Sequence, residues 1–348
     1  MSVKLQLRAL TYEETEAYIL SIGEKKFRAK QVFEWVHDKM VNSVDEMSNL
    51  SKALREKISA TSDLYIPKVV QCLKSENDGT RKYLFQLSDG QRIESVLMRY
   101  EHGNSVCVST QAGCRMGCTF CASGLLGLDR HLTTDEIMSQ IYEIEKDIKE
   151  RVTHTVLMGT GEPLDNYESV VKFIKLITDE RGKNLSQRHV TMSTCGLVPQ
   201  IVKLAEEHLQ ITLAISLHAS DDATRQQTMP IAKKYSIEEV LDACEIYFNK
   251  TGRRITFEYA LIAGVNDDEA GALKLARLLK GREFRCHVNL IPVNSIDEKL
   301  FKQSAKSAVR SFQQVLLNNH VEATVRRALG TEINAACGQL RNSDSSGS

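Results

Sequence analysis

Three cysteines stand close together in the first half of the chain. Cys114, Cys118 and Cys121 follow the spacing C-x3-C-x2-C, and no fourth cysteine follows nearby. A cuboidal [4Fe-4S] cluster needs four ligands, so three thiolates leave one iron open to another ligand. Gly113 and Gly117 belong to the same loop, and such residues let a short chain curl around a cluster while its amides donate to the sulfides. The spacing therefore predicts an iron–sulfur site with one open iron.

Two other uses of these cysteines stay open at this point. A structural zinc site completed by a distant histidine or cysteine would use the same thiolates, and buried cysteines also occur without any ligand. Zinc sites more often pair two C-x2-C units, and the sequence has no second unit of that kind. The spacing therefore favours the cluster.

The cysteine loop resembles that of the radical S-adenosylmethionine (SAM) superfamily, in which an aromatic residue stands before the last cysteine, as Phe120 does here. The resemblance implies that Cys114, Cys118 and Cys121 hold a [4Fe-4S] cluster and that the open iron binds the amino and carboxylate groups of SAM. It also implies that an electron from the cluster cleaves SAM and gives a 5'-deoxyadenosyl radical.

The composition is that of a globular protein without a bias towards one partner. The 348 residues are 42% apolar, which is enough for a substantial core, and 45 basic residues balance 45 acidic ones. Charges interrupt every apolar run before the roughly 18 to 20 residues of a membrane helix, and the first residues lack the apolar core of a signal peptide. We therefore expect a cytoplasmic protein in a reducing compartment, whose charge alone gives no reason to expect nucleic acid.

The order of patterns along the chain predicts an α/β protein. We expect a helical accessory module at 1–65, a small antiparallel β extension at 66–104, a barrel at 105–330, and a C-terminal segment at 331–348 with a disordered polar tail. After a first strand at 106–109, helices alternate with buried strands, which predicts a parallel sheet curled into a partial (βα)6 barrel. The predicted later strands are 155–158, 189–193, 211–216, 255–261, 286–291 and 323–327, each preceded by a helix.

Candidate ligand-binding residues follow the predicted strands, where the carboxyl ends of a parallel barrel meet. Gly161 and Glu162 belong to a Gly-Thr-Gly-Glu-Pro motif in which the glycines admit a close ligand and the carboxylate can accept from an ammonium group. The motif resembles the superfamily element that binds the amino group of SAM. Residues at the other strand ends would complete a polar ring for the ribose, carboxylate and adenine of SAM: Ser193, Ser216, Leu217, His218 and Asn294.

A further cysteine, Cys337, stands among small residues beyond the last predicted strand, where packing does not require it. A single late cysteine is by default an inert thiol. Together with Cys107, on the first barrel strand, it could instead form a redox pair at the mouth of the barrel.

These motifs together resemble the RlmN and Cfr family of radical SAM RNA methyltransferases over nearly the whole chain. The resemblance rests on Cys107, Gln-Ala-Gly-Cys at 111–114, Gly-Glu-Pro-Leu at 161–164, Ser-Leu-His at 216–218, the terminal Ala-Ala-Cys-Gly-Gln-Leu and the N-terminal Phe-Arg-Ala-Lys-Gln at 27–31. It implies methylation of carbon 2 or carbon 8 of an adenosine in 23S ribosomal RNA, and for the carbon 2 enzymes also of the adenosine beside the anticodon of some tRNAs. Pro163 and Ala112-Gly113 resemble the carbon 2 enzymes.

The family also implies residue roles and two SAM molecules per turnover. Cys337 takes a methyl group from the first SAM, and the radical made from the second activates that methyl group for addition to the adenine. Glu94, or in competition Cys107, removes the ring proton, and a transient disulfide between Cys107 and Cys337 releases the product. The partners implied are 23S rRNA, tRNA and an external donor of the flavodoxin type, with the protein acting as a monomer.

The basic pairs at the mouth of the barrel and the N-terminal module would hold the RNA backbone, while the target base is extruded from its stack. Two other classes stay open: a radical SAM enzyme that acts on a protein or small metabolite, and a non-catalytic iron–sulfur protein that binds RNA. Glu162, Ser193, His218 and Cys337 argue against the last class, because binding alone requires none of them.

Overall fold

The computed structural model describes residues 4–124, 127–293, 301–336 and 338–340. Asn294, Cys337 and residues 341–348, which include the polar tail predicted at 342–348, lie outside this part of the chain. The helices are α1 (Tyr12–Ser21), α2 (Phe27–His37), α3 (Lys52–Thr61), α4 (Thr134–Ile148), α5 (Tyr167–Ile177), α6 (Val198–Ala205), α7 (Asp222–Thr228), α8 (Ile237–Thr251), α9 (Glu269–Lys280) and α10 (Lys306–Asn318). The strands are β1 (Leu5–Gln6), β2 (Ser62–Asp63), β3 (Lys68–Lys74), β4 (Arg81–Gln86), β5 (Arg92–Tyr100), β6 (Gly103–Cys107), β7 (Gln111–Gly113), β8 (Leu128–His131), β9 (Val152–Leu157), β10 (Val190–Thr194), β11 (Thr212–Ser216), β12 (Ile255–Leu261), β13 (Cys286–Pro292) and β14 (Ala323–Val325).

One large sheet organises the described chain. Its ten described strands run in the order β14, β13, β12, β11, β10, β9, β6, β5, β4 and β3. Strands β6 and β9 to β14 pair with one another in parallel, as expected where a helix connects each of them to the next. None of the described helices is both long and apolar enough to cross a membrane.

The two faces of the parallel strands differ in chemistry. Leu213, Ile215 and Phe257 point outwards into the main core, where they pack with the surrounding helices. Side chains at alternating positions point to the opposite face, and they include Ser216 and Glu258, which line a cavity. Because successive residues of a strand face opposite sides, the same strands provide both the core and the wall of the cavity.

The N-terminal module has its own apolar core, formed by α1, α2, α3 and the segments between them. The fully buried Arg8 attaches this module to the barrel. Its guanidinium donates to Ser139 Oγ at 2.9 Å and to Glu143 Oε1 at 3.1 Å, both on α4, and to the carbonyl oxygen of Val41 within the module. The buried His37 adds a 2.9 Å contact between its Nδ1 and the hydroxyl of Tyr142. The module therefore contacts α4 through buried polar groups.

The antiparallel strands β3, β4 and β5 continue the barrel sheet, because β5 pairs with β6. One face of β5 packs on the barrel helix α4, where Ser95 Oγ donates to Gln140 Oε1 at 2.6 Å. On the other face Val96, Met98 and Cys107 of β6 form an apolar cluster with Leu329 and Ala335. The C-terminal segment, residues 329–336 and 338–340, therefore covers this face of the sheet. The pairing of β3 with β4 is interrupted by a register shift between Val69 and Gln71.

Candidate active site

A cavity of about 960 Å³, open to solvent, lies at the carboxyl ends of the parallel strands. The structure brings most of the predicted ligand-binding residues to it. The lining includes Cys114, Cys118, Cys121, Gly161, Glu162, Ser193, Ser216 and His218.

The cysteine loop lies between β7 and β8, which pair as an antiparallel hairpin. This hairpin, which the sequence pattern did not indicate, fixes the base of the loop. Gly113 has a φ of +76°, and a Cβ there would stand 2.1 Å from the carbonyl oxygen of Gly127 on the opposite side. The amide of Cys114 donates to that same oxygen at 2.7 Å. Glycine is therefore required for the two ends of the loop to approach.

Burial favours the protonated form of two of the three cysteine thiols. Burial raises the pKa of Cys114 to about 12, and burial together with the neighbouring Cys121 and Cys114 raises the pKa of Cys118 well above its usual value. A bound metal ion reverses this preference for the protonated thiol, because metal ions bind the thiolate and displace its proton. Within the described chain no three His, Cys, Asp or Glu side chains converge on a single ion. The three soft thiols line one cavity, as the ligands of an iron–sulfur cluster must.

Glu162 presents a buried carboxylate to the same cavity. Its Oε2 accepts from the amide of Cys195 at 2.8 Å, and its Oε1 accepts from the amide of Leu164 at 3.1 Å. Burial raises the pKa of Glu162, and these amides act in the opposite direction. A buried carboxylate held by neutral amides attracts a cationic ligand, so the site fits the ammonium group of SAM.

The predicted polar ring is formed in part. The hydroxyl oxygens of Ser193 and Ser216 lie 3.3 Å apart across neighbouring strands. His218 accepts from the amide of Ala260 through Nδ1 at 2.9 Å, and burial lowers its pKa to about 3, so the imidazole is neutral. The side chain of Leu217 is buried in the main core, away from the cavity lining. Asn294 lies outside the described residues.

The fully buried Arg225 joins three loops around the cavity. Its guanidinium donates to the carbonyl oxygens of Cys195 at 2.7 Å, Leu217 at 3.2 Å and Tyr235 at 3.2 Å. Burial lowers its pKa from the usual value. Arg225 therefore connects the loop that supports Glu162 with the loop that follows β11.

Glu94 and Cys107 lie outside the cavity lining, on the sheet face that the C-terminal segment covers. Glu94 is 2% exposed and Cys107 is 7% exposed. Val96 lies opposite Cys107 in the register of β5 and β6, and Glu94 precedes Val96 by two residues. The side chains of Glu94 and Cys107 therefore lie on the same face of the sheet. Cys337 lies outside the described residues, whereas Gly338 lines the cavity.

Sequence reasoning missed a buried polar group on the inner face of the barrel. Glu258 accepts from Asn289 Nδ2 at 2.9 Å and lies 3.8 Å from a guanidinium nitrogen of Arg326. Burial raises the pKa of Glu258, and Arg326 opposes that effect. A single carboxylate inside strand 255–261, which has no other charged residue, was the available signal. Cys195, whose amide holds Glu162, gave no signal because an isolated cysteine is usually inert.

The open sheet of parallel strands, with a three-cysteine loop at its carboxyl edge, is the architecture of a radical SAM enzyme. A family model described as the radical SAM superfamily matches residues 108–276, and one described as the ribosomal RNA large subunit methyltransferase N-terminal domain matches residues 5–64. A radical SAM methyltransferase from Sphaerobacter thermophilus, known from its crystal structure, superposes with a TM-score of 0.92 at 41% identity, covering 97% of this chain and 100% of that one.

Two curated relatives are similar over nearly their whole lengths. Both carry the name "Probable dual-specificity RNA methyltransferase RlmN". The protein of Lachnoclostridium phytofermentans is 52% identical over 98% of this chain and 95% of its own, and that of Clostridium perfringens strain 13 is 55% identical over 96% and 95%. The chain therefore belongs to the RlmN family of radical SAM methyltransferases. The predicted α/β radical SAM fold with a helical N-terminal region is confirmed, and a [4Fe-4S] cluster and SAM are the cofactors of the superfamily.

Proposed function

We propose that this protein methylates carbon 2 of an adenosine in 23S rRNA and of the adenosine beside the anticodon in some tRNAs. The RNA substrate is supported by the name of the curated relatives, and one observation carries the route through the protein. Glu94 and Cys107 share a sheet face, and the segment that leads to Cys337 covers that face, directly beside the cavity with the cysteine loop. A base, a resolving thiol and a carrier thiol are needed together only if the methyl group passes through the protein.

Cys114, Cys118 and Cys121 would hold the cluster, and Glu162 would bind the amino group of SAM, with Ser193, Ser216 and His218 beside it. When bound, these cofactors supply one electron, the methyl group and the radical that activates it. Two SAM molecules per turnover are part of the proposal. The roles left to the protein are to carry the carbon, to remove the ring proton and to release the product.

Cys337 would carry the transferred carbon as a thioether, which then links the protein to the adenine. Glu94 would accept the proton of carbon 2 and become a neutral acid, and the unpaired electron would leave the adduct at the same stage, which returns the one electron that the cofactors supplied. Cys107 as thiolate would attack the sulfur of Cys337, forming a disulfide as the bond between that sulfur and the transferred carbon breaks. The electron pair of the broken bond stays on the carbon, which takes a proton and becomes the methyl group. An external donor of two electrons and two protons restores both thiols.

The proposed setting follows from the same chemistry. The thiols require a reducing compartment, so we place the protein in the cytoplasm with a flavodoxin-type donor and expect it to act as a monomer. The target base must leave its stack to reach the cavity, which costs a few kcal/mol and favours adenosines in loops.

The test is mass mapping of methyladenosine in 23S rRNA and tRNA treated with reconstituted enzyme, SAM and reductant. We expect 2-methyladenosine from the native enzyme, none from Cys337→Ala, and a covalent protein–RNA adduct that accumulates with Cys107→Ala. Methylation at carbon 8 would refute the assignment of the ring position. Normal turnover by Cys337→Ala would refute transfer through the protein, and the absence of an adduct with Cys107→Ala would refute the resolving role.

A further inference from the structure

Lys82 on β4 contacts both the proposed base and the C-terminal segment. Its ammonium nitrogen lies 3.0 Å from Oε1 of Glu94 and 3.3 Å from the carbonyl oxygen of Asn334, three residues before Cys337. The side chain of Lys82 is 13% exposed and that of Glu94 is 3% exposed, so solvent screens this ion pair weakly. Lys82 lies opposite Val96 in the register of β4 and β5, which places it on the face that carries Glu94 and Cys107.

We propose that Lys82 is a positioning residue that holds Glu94 as a carboxylate on the sheet face that the C-terminal segment covers. This inference rests on the proposed function, because it takes Glu94 to be the acceptor of the ring proton. An ammonium group has three N–H donors and no acceptor, so one lysine can bind a carboxylate and a carbonyl oxygen simultaneously. Lys82 thereby couples the state of the base to the position of the segment.

The C-terminal segment is held on both sides of position 337. Before it, the amide of Gly330 donates to Asp78 Oδ2 at 2.9 Å, and Ser75 donates to the carboxylate of Glu332, so the turn between β3 and β4 holds this part. After it, the carbonyl oxygen of Gly338 accepts from the amide of Ala122 at 2.8 Å, next to the cysteine loop. The contact of Lys82 with Asn334 differs from these contacts, because Lys82 also pairs with the proposed base Glu94.

The proposed reaction has two halves: methylation of Cys337 by SAM, and transfer of the carbon to the adenine with release of the product. The ion pair of Lys82 with Glu94 matters for the second half. A buried carboxylate remains charged only when a cation or several donors compensate for its lost hydration. A neutral Glu94 could not accept the proton of carbon 2, so without Lys82 the protein–RNA adduct would persist. Methylation of Cys337 itself requires no base at Glu94. A change at Lys82 should therefore slow the second half of the reaction and leave the first half intact.

The experiment compares Lys82→Met with Lys82→Arg and with Arg81→Met in the reconstituted holoenzyme. Arg81 is the matched control, because it neighbours Lys82 on the same strand but pairs with Asp147, 2.7 Å away on α4. The first half is measured by intact mass, as the methyl group on Cys337 after incubation with SAM without RNA. The second half is measured in quenched single turnovers, as the decay of the protein–RNA adduct.

We expect Lys82→Met to gain the methyl group normally and to resolve the adduct at least about 10-fold more slowly, which corresponds to about 1.4 kcal/mol in the activation barrier. Lys82→Arg should restore resolution to within about threefold, because it returns a cation to the carboxylate. Arg81→Met should resemble the native enzyme in both measurements. Where Lys82→Met gives little folded protein, Lys82→Gln removes the charge but keeps a donor for Asn334, and the same defect is expected.

Resolution at the native rate by the uncharged variants would overturn the inference, and so would equal losses in both halves, which indicate a purely structural role. The variant Glu94→Gln distinguishes a failure of this inference from a failure of the proposed function. If Glu94→Gln resolves the adduct normally, the base assignment fails whatever Lys82 does. If Glu94→Gln accumulates the adduct while Lys82→Met does not, only the role of Lys82 fails.

Discussion

Replacing Arg225 with methionine should destabilise the wall of the cavity by an amount that the structure allows us to estimate. The change removes three hydrogen bonds to carbonyl oxygens, of which those of Cys195 and Leu217 are buried and that of Tyr235 is partly buried. Each stranded buried acceptor costs about 1 to 3 kcal/mol, and losing the desolvation penalty of the guanidinium offsets part of this. We expect a net loss of about 3 kcal/mol in the free energy of unfolding.

For a chain of 348 residues, this loss corresponds to a decrease of about 4 °C in the melting temperature. The assay is thermal unfolding of the reconstituted protein followed by circular dichroism. Arg253→Met is the control, because Arg253 is half-buried and reaches Ile211 and Thr212 at 3.3 and 3.5 Å, so its loss should cost below about 1 kcal/mol. Equal melting temperatures for the two variants would refute the reasoning that buried carbonyls depend on Arg225.

Two further predictions concern stability. Burial lowers the pKa of His37 to about 3. Below pH 6.5 the unfolded chain therefore binds a proton on this residue that the folded chain does not bind. The contribution of neutral His37 to the free energy of unfolding is complete above pH 6.5 and declines below it by about 1.4 kcal/mol per pH unit. Urea unfolding at pH 7.5 and 5.5 should therefore show a steeper decline for the native protein than for His37→Gln, and parallel declines would contradict this. Gly161→Ala should cost about 2 to 5 kcal/mol, because φ is +112° and the new Cβ would stand 2.7 Å from Gln111 Cβ. Gly281→Ala, with open space at its Cβ, is the control, and equal urea midpoints for the two variants would refute the steric argument.

Periodicity predicted the barrel because each strand and helix carries its own local signal. The strand predicted at 255–261 has the observed bounds of β12, since its residues are almost all apolar, β-branched or aromatic. The cysteine loop and Glu162 could be placed at one edge because the carboxyl ends of parallel strands meet there. These inferences need only the order of elements along the chain.

Pairing between distant segments could not be predicted in this way. Nothing in the local sequence of Lys82 shows that it contacts both Glu94 and a carbonyl oxygen 252 residues later in the chain. The shared face of Glu94 and Cys107 depends on the register of β5 and β6, which becomes known only from the folded sheet. Leu217 shows the same limit, because a residue beside two cavity-lining neighbours can direct its own side chain into the core.

The large sheet does not close on itself, so β3 and β14 are its two edge strands in the described fold. Exposed strand edges of this kind are templates on which other chains can add strands and aggregate. Here the register shift between Val69 and Gln71 interrupts one edge, and Lys68 and Lys74 place charges at its two ends. The other edge, β14, is only three residues long. Both edges therefore discourage the addition of further strands, which protects an open barrel from assembling into fibres.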